Sequence, residues 1–148
     1  MNNRFKKGFY TPINKGKYKG KVLPIYRSNW EYKYMRYLDM EESVIEWVSE
    51  PLPIYYFNPI KQKPTRYYPD FLVKYKNRDG SEYIELVEIK PYKQTIPPVN
   101  SGKKQKRTLM IESYNWAINI AKWEAAIKYC KERKIIFKIL TERELKIR

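Results

Sequence analysis

Asp70, Glu88 and Lys90 are the residues of this chain best placed to do chemistry. Asp70 opens a run in which Phe71, Val73 and Tyr75 alternate with Leu72 and Lys74, the period of a half-buried strand. Asn77-Arg78-Asp79-Gly80 is a turn signal, and Tyr83 to Lys90 reads as a second strand, ended by Pro91. With the turn centred between Asp79 and Gly80, Asp70 faces Ile89, whose neighbours are Glu88 and Lys90. Opposed Cβ atoms in such a hairpin lie ~4.5–5.5 Å apart and diagonal ones ~7–8 Å. The charged groups of Asp70, Glu88 and Lys90 therefore converge at one end of the hairpin. Glu88 and Lys90 share a strand face with Ile84 and Leu86, which predicts partial burial.

Carboxylates crowded together out of water repel each other, and a hard divalent cation relieves the repulsion. Asp70, Glu88 and the main-chain carbonyl of Ile89 are the candidate ligands, for Mg²⁺ or Mn²⁺. Lys90 beside them could orient an attacking water, act as a base if its pKa is lowered, or stabilise phosphorane charge. Such a site could hydrolyse a phosphodiester. Composition narrows the field to chemistry of this kind. The chain has no histidine and a single cysteine, Cys130, which excludes Ser–His–Asp triads, His-rich zinc sites and disulfides. Taken alone, Pro-Asp followed by Glu-x-Lys is a weak signal, since many strands carry it without cutting anything.

The elements that must position these residues are legible in outline. Ser28 followed by Glu31 is a capping box, and Trp30, Tyr34, Tyr37 and Leu38 follow as an amphipathic stripe, so a helix starts near Ser28 and stops near Asp39 to Glu42. The capping box explains Glu31 without catalysis. The same residue shares a helix face with Met35 and Leu38, which points it inward. Val44 to Val48 and Ile54 to Phe57 are short β-like runs, and Gln94 to Arg107 reads as a loop. A long helix is expected over about Glu112 to Arg133, with Trp116, Ile120, Trp123, Ile127 and Cys130 as its buried stripe. Asn119 and Lys122 lie off the centre of that stripe. Ile135 to Leu140 reads as a last, buried strand, after which Thr141 caps a short turn. The order predicts one α/β (α+β) domain, a central sheet flanked by helices, over 27–148, preceded by a basic arm over 1–26.

Charge is concentrated rather than spread. The 148 residues carry a net +15, from 31 Lys and Arg against 16 Asp and Glu. Met1 to Trp30 and Ile89 to Ile111 contain cations and no acid. Such a field on a small domain points to a polyanion, most simply nucleic acid. The candidate contacts are Lys15, Lys17, Lys19, Lys21, Arg27, Arg66, Lys103, Lys104, Lys106, Arg107 and Lys122. Aromatics such as Phe9, Tyr10, Tyr18 and Tyr26 interleave with the cations and could stack on bases. The plain alternative is a set of solvated loops. No apolar run reaches the ~18–20 residues of a membrane span, and the N-terminus lacks the apolar core of a secretory signal.

Tyr68-Pro69-Asp70-Phe71 and Val87-Glu88-Ile89-Lys90-Pro91 resemble the motifs of the PD-(D/E)xK nuclease superfamily. The likeness is greatest to TnsA-like endonucleases and to the head completion nucleases of tailed phages. Tyr26-Arg27-Ser28-Asn29-Trp30-Glu31, Trp47-Val48-Ser49-Glu50 and the run from Asn119 to Ala126 resemble the phage group as well. The resemblance implies a restriction-endonuclease-like core with a central mixed sheet, and a Mg²⁺-dependent DNA endonuclease acting in packaging or head completion. It implies that Asp70 and Glu88 bind metal, that Lys90 is catalytic and that Glu31 completes the acidic site. TnsA-like proteins often carry Gln in place of the carboxylate that precedes the catalytic lysine; Glu88 is the commoner superfamily form. DNA is the implied partner, with capsid, portal or packaging proteins and a homodimer as further candidates. The implied location is the host cytoplasm, in association with the virion head. A non-catalytic nucleic-acid-binding or capsid-associated module, or an RNA-binding structural protein, remains the alternative.

Overall fold

The computed structural model describes residues 7–145. Arg4, Phe5 and Lys6 of the basic stretch lie outside them. In chain order the elements are β1 (Gly8–Phe9), β2 (Ile25–Tyr26), α1 (Asn29–Met40), β3 (Val44–Ser49), β4 (Ile54–Asn58), β5 (Lys63–Tyr67), β6 (Phe71–Lys76), β7 (Glu82–Ile89), α2 (Lys106–Glu132), β8 (Ile136–Leu140) and α3 (Glu142–Leu145), with a 3₁₀ turn at Tyr92–Gln94. The main sheet has the order β3-β6-β7-β8. Its first pairings are antiparallel and β7–β8 is parallel, reached through the α2 crossover. This is the expected mixed sheet between helices.

The pleat of the hairpin divides the core. Phe71, Val73, Tyr75, Val87 and Ile89 pack with Val44 and Trp47 against Tyr34, Met35 and Leu38 of α1. Leu86 belongs to a second cluster, with Ile54, Tyr56, Tyr67 and, from α2, Ala126 and Cys130. Each fully buried Leu, Val or Phe contributes roughly 1.5–3 kcal/mol, so both faces clamp the hairpin.

The hairpin register differs by one residue from the expected one. Phe71 pairs with Val87 and Lys76 with Glu82, so the next position brings Asp70 opposite Glu88, not Ile89. The cause is the turn. The Gly80 N–H donates to Asn77 O at 3.0 Å, the Asn77 N–H donates to Ser81 O at 2.7 Å, and Gly80 sits at φ +90°. A turn closed by a left-handed glycine is one residue longer than the tight turn assumed from the sequence. Shifting register by one exchanges the faces, and here it sets the carboxylates directly across from each other.

Other expectations are corrected. The helix expected from Glu112 starts at Lys106, so Lys106 and Arg107 are helical. Gln105 gives no side-chain cap, and Met110, Ile111 and Tyr114 are exposed, so the first turns carry neither start signal nor apolar stripe. The buried face of α2 is Asn119, Trp123, Ala126 and Cys130, while Ile127 is 53% exposed. The spacing of four and three is right, but the face is rotated, and a polar residue hides it. β5 is not legible in the sequence because it contains Pro64; pairing only with β4, it leaves its other edge free, where proline is tolerated. β8 is an edge strand with Ile136 exposed, not a buried run.

The stretch read as an arm lies against the body of the protein from Lys7 onward. β1 pairs with β2, and the Tyr10 N–H donates to Pro24 O at 2.8 Å. Trp47 N–H donates to Lys17 O, and Lys19 N–H to Trp47 O, both at 3.0 Å, so this segment bridges onto the edge of β3. Lys17 places its ammonium 3.0 Å from Asp39 O and 2.6 Å from Glu41 O, against the carbonyl end of α1 where a cation is favoured.

Candidate active site

The site is built where β6 begins and β7 ends. The Ile89 N–H donates to the Asp70 carboxylate at 2.7 Å and fixes its rotamer. The Glu50 N–H donates to the Asp70 carbonyl at 2.8 Å, which ties the same residue to the end of β3. Glu88 is 5% exposed and lies on the α2 side of the sheet. Its neighbour Tyr67, at the end of β5, donates its hydroxyl to the Glu88 carboxylate. Lys90 follows β7 directly; its N–H donates to Leu140 O at 3.0 Å and its ammonium lies 3.8 Å from Glu88. The Lys90 side chain is 26% exposed, reachable by a substrate yet held by the strand that carries it.

Burial first, and then the charge of Glu88, holds the Asp70 carboxyl well above the usual carboxylate range; the Ile89 N–H works the other way. Burial also raises Glu88, against the Tyr67 hydroxyl and the Lys90 charge. The pair therefore keeps hold of a proton that separate carboxylates would release. Burial followed by the negative charge of Glu88 drives the Tyr67 hydroxyl up as well, so it stays a donor.

Glu31 sits at the edge of this cluster. The Ser28 hydroxyl accepts from its N–H at 3.1 Å, and its carboxylate accepts from the Arg27 N–H at 2.6 Å, so it caps α1. Burial raises its pKa, the Arg27 N–H and the charges of Arg27 and Lys90 work the other way, and its own charge raises that of Asp70. A single carboxylate thus serves the helix and borders the acidic pair.

The sequence puts Lys122 on a face that touches phosphate or solvent. Instead it is half-buried, over the Tyr67 ring at 5.5 Å and the Tyr56 ring at 5.9 Å. Burial and then repulsion from Lys90 lower its pKa, while Glu88 and Asp70 raise it. Its ammonium thus belongs to the acidic pair. Lys17 is likewise engaged, by the end of α1. Arg27 is exposed and paired with Glu50, and Lys104 pairs with Glu112 at 2.7 Å. Lys15, Lys19, Lys21, Arg66, Lys103, Lys106 and Arg107 are exposed. Tyr67 is visible in the sequence only as part of an aromatic run leading into Asp70. Its partner cannot be read without β5.

The donor set bears on whether a divalent cation fits. Among the described residues there is no group of three or more His, Cys, Asp or Glu side chains at ligand spacing. Asp70 and Glu88 are, however, abutting acids with raised proton affinity, short of donors. Ile89 adds an oxygen on the proper side, since a strand residue directs its N–H and C=O toward the same neighbour and that N–H already reaches Asp70. Carboxylates with a main-chain carbonyl, completed by water, suit Mg²⁺, which retains several waters.

The structure thus sets crowded acids and a lysine at the end of the central hairpin of a mixed sheet between helices. The chain belongs to the TnsA-like endonuclease family: residues 41–142 match the model for the N-terminal domain of TnsA-like endonucleases. The matched span includes Asp70, Glu88 and Lys90 and leaves Glu31 outside. The chain is also similar to the head completion nuclease of Enterobacteria phage T4, 40% identical over 139 residues, which covers 91% of this chain and 90% of that protein. Nuclease activity and a general dependence on divalent metal follow from that membership.

Proposed function

We propose that the protein is a Mg²⁺- or Mn²⁺-dependent endonuclease that cuts DNA during phage head completion, in the host cytoplasm and in association with the virion head. Its partners would be capsid, portal or packaging proteins, and a homodimer is compatible with this role. The observation that carries the reading is the crowded Asp70–Glu88 pair with Lys90 3.8 Å from Glu88. Asp70, Glu88 and the Ile89 carbonyl would hold the cation, which when bound neutralises the acids and draws charge from the phosphate.

Each side chain has a distinct task. The Ile89 N–H and the Tyr67 hydroxyl fix the carboxylates of Asp70 and Glu88, so little reorganisation is needed when phosphate arrives. Lys90 presents its ammonium to the attacking water or to the negative charge that builds on the phosphoryl oxygens. Glu31 closes the acidic rim. The exposed Lys15, Lys19, Lys21, Lys103, Lys106 and Arg107 supply the field that draws in the phosphate backbone.

The test is cleavage of linear and branched DNA by the full chain with Mg²⁺, Mn²⁺ or EDTA, beside Glu88→Gln. Cutting that needs the cation and vanishes in Glu88→Gln is the expected result. Binding without cutting under every metal condition would leave a nucleic-acid-binding module and overturn the proposal.

A further inference from the structure

A cleft of about 840 Å³ opens beside the acidic pair. Lys90 and Lys122 form part of its wall, so it is continuous with the site described above. The rest of the wall comes from β4, the segment after β7 and the first half of α2. Lys61, Lys93 and Lys104 add positive charge; the acid in the wall, Glu112, is neutralised by Lys104 at 2.7 Å. Asn119 also lines the cleft. It is only 8% exposed, and its side chain has no hydrogen-bond partner among the described residues. Its amide is not among the fully buried unpaired polar groups, so it opens into the cleft, where water or a ligand can pair with it. Trp116 lies three residues before it on the same helix face, half-buried and in the same wall.

We propose that this cleft receives an unpaired nucleotide of the DNA being cut, so that the preferred substrate carries a frayed, flapped or branched strand. This rests on reading Asp70, Glu88 and Lys90 as a DNA-cutting centre. The volume is that of a pocket for a single small ligand, ~300–1,000 Å³, and does not admit a duplex. Lysines around an aromatic surface are the arrangement by which unpaired strands are held, cations on phosphate and rings on bases. The Asn119 amide offers both donor and acceptor, which match the Watson–Crick edge of a base, an edge that is free only when the base is out of its pair. Because Lys90 and Lys122 border both spaces, the phosphate next to the held nucleotide is the one presented to the acids.

The experiment measures binding of the full chain, in EDTA so that nothing is cut, to a blunt duplex and to the same duplex ending in an unpaired oligothymidine flap. The flapped DNA should bind at least about tenfold tighter, the scale of one stacked base. Lys61→Gln with Lys93→Gln, both exposed, should remove most of that preference and leave blunt-duplex affinity nearly as it was. The salt dependence for the flapped DNA should flatten by about 0.7 for each phosphate that a lysine no longer neutralises. Asn119→Leu should do the same to the preference, and if it fails to fold, the lysine pair decides. Equal affinity for both DNAs, or a preference untouched by the lysine pair, would overturn the assignment. A parallel Mn²⁺ cleavage assay separates the claims: absence of any cutting removes the cutting centre, whereas equal binding with normal cutting removes only the cleft.

Discussion

Asp39 and Glu88 are both buried acids, Asp70 is half-buried beside Glu88, and the molecule treats Asp39 and the pair in opposite ways. Asp39, at the end of α1, is 0% exposed. Burial pushes its pKa up, but the Tyr10 hydroxyl, the N–H groups of Ile13 and Asn14 and the charge of Lys17 outweigh that and hold it below the usual range. Those donors sit at 2.6, 2.7 and 2.9 Å. Asp70 and Glu88 have fewer donors and each other's charge, and both are held above the usual range. Depth therefore does not mark a working acid. The ratio of donors to oxygens does: a saturated carboxylate is a fastener, and a starved one is ready to take a cation.

The largest effect expected separates these roles by rate. Lys90→Ala or Glu88→Gln should slow single-turnover cleavage by ~10²–10⁴-fold, while Asp39→Asn leaves the rate per folded molecule nearly unchanged. Single-turnover rates and melting temperatures on the same preparations check this. A Lys90→Ala protein that melts early yet cuts normally with excess metal would make the lysine a fastener too. Lys90→Arg should rescue little, because guanidinium is planar and stays charged.

Next comes stability. Asp39→Ala strands the Tyr10 hydroxyl and the Ile13 and Asn14 N–H groups, and should cost about 3–5 kcal/mol in urea unfolding. Asp70→Asn should do the reverse in EDTA, raising the urea midpoint at neutral pH, because it removes one of two acids whose charges oppose each other. The pH dependence has opposite signs. The raised pair lends stability below the unfolded carboxylate pKa and loses it as pH rises through the raised folded value. Asp39 lends stability above the unfolded pKa and loses it as pH falls through its lowered folded value. The gain from Asp70→Asn should thus grow as pH rises above the usual carboxylate range, and a flat profile would deny the pair its raised proton affinity. The smallest effect concerns the basic N-terminal segment. Lys15, Lys19 and Lys21 changed together to Gln should flatten the salt dependence of duplex binding by about 0.9 for each phosphate released. Lys17→Gln should leave that slope alone and lower the melting temperature instead.

The chemistry is more legible in the sequence than the framework around it. Alternation marks β6 and β7, the capping box marks α1, and the crowding of Asp70 with Glu88 follows from their places at one hairpin end. The register does not, because Gly80 admits two turn lengths and the composition of the turn does not choose between them. The burial of Asn119 and Lys122, both of which the sequence sets off the apolar stripe, escapes it for a related reason. Their helix face is polar in part, so apolar periodicity points to Ile127, and only packing against β4 shows which face is covered. Lys17 looks like its neighbours in a run of cations. What distinguishes it is the proximity of the α1 carbonyls, a tertiary fact that charge counting cannot hold.

The Gly80 turn stands at the opposite end of the hairpin from the acids, about 20 Å away at ~3.4 Å per residue. It nevertheless decides whether Asp70 looks across at Glu88 or past it. What matters at that distant loop is whether it keeps Lys76 beside Glu82, not how many residues it holds. Loops of about two to five residues can close one register, whereas a slip of one residue between the strands turns Glu88 away. The tip can therefore lengthen without disturbing the acids so long as the flanking strands keep their partners.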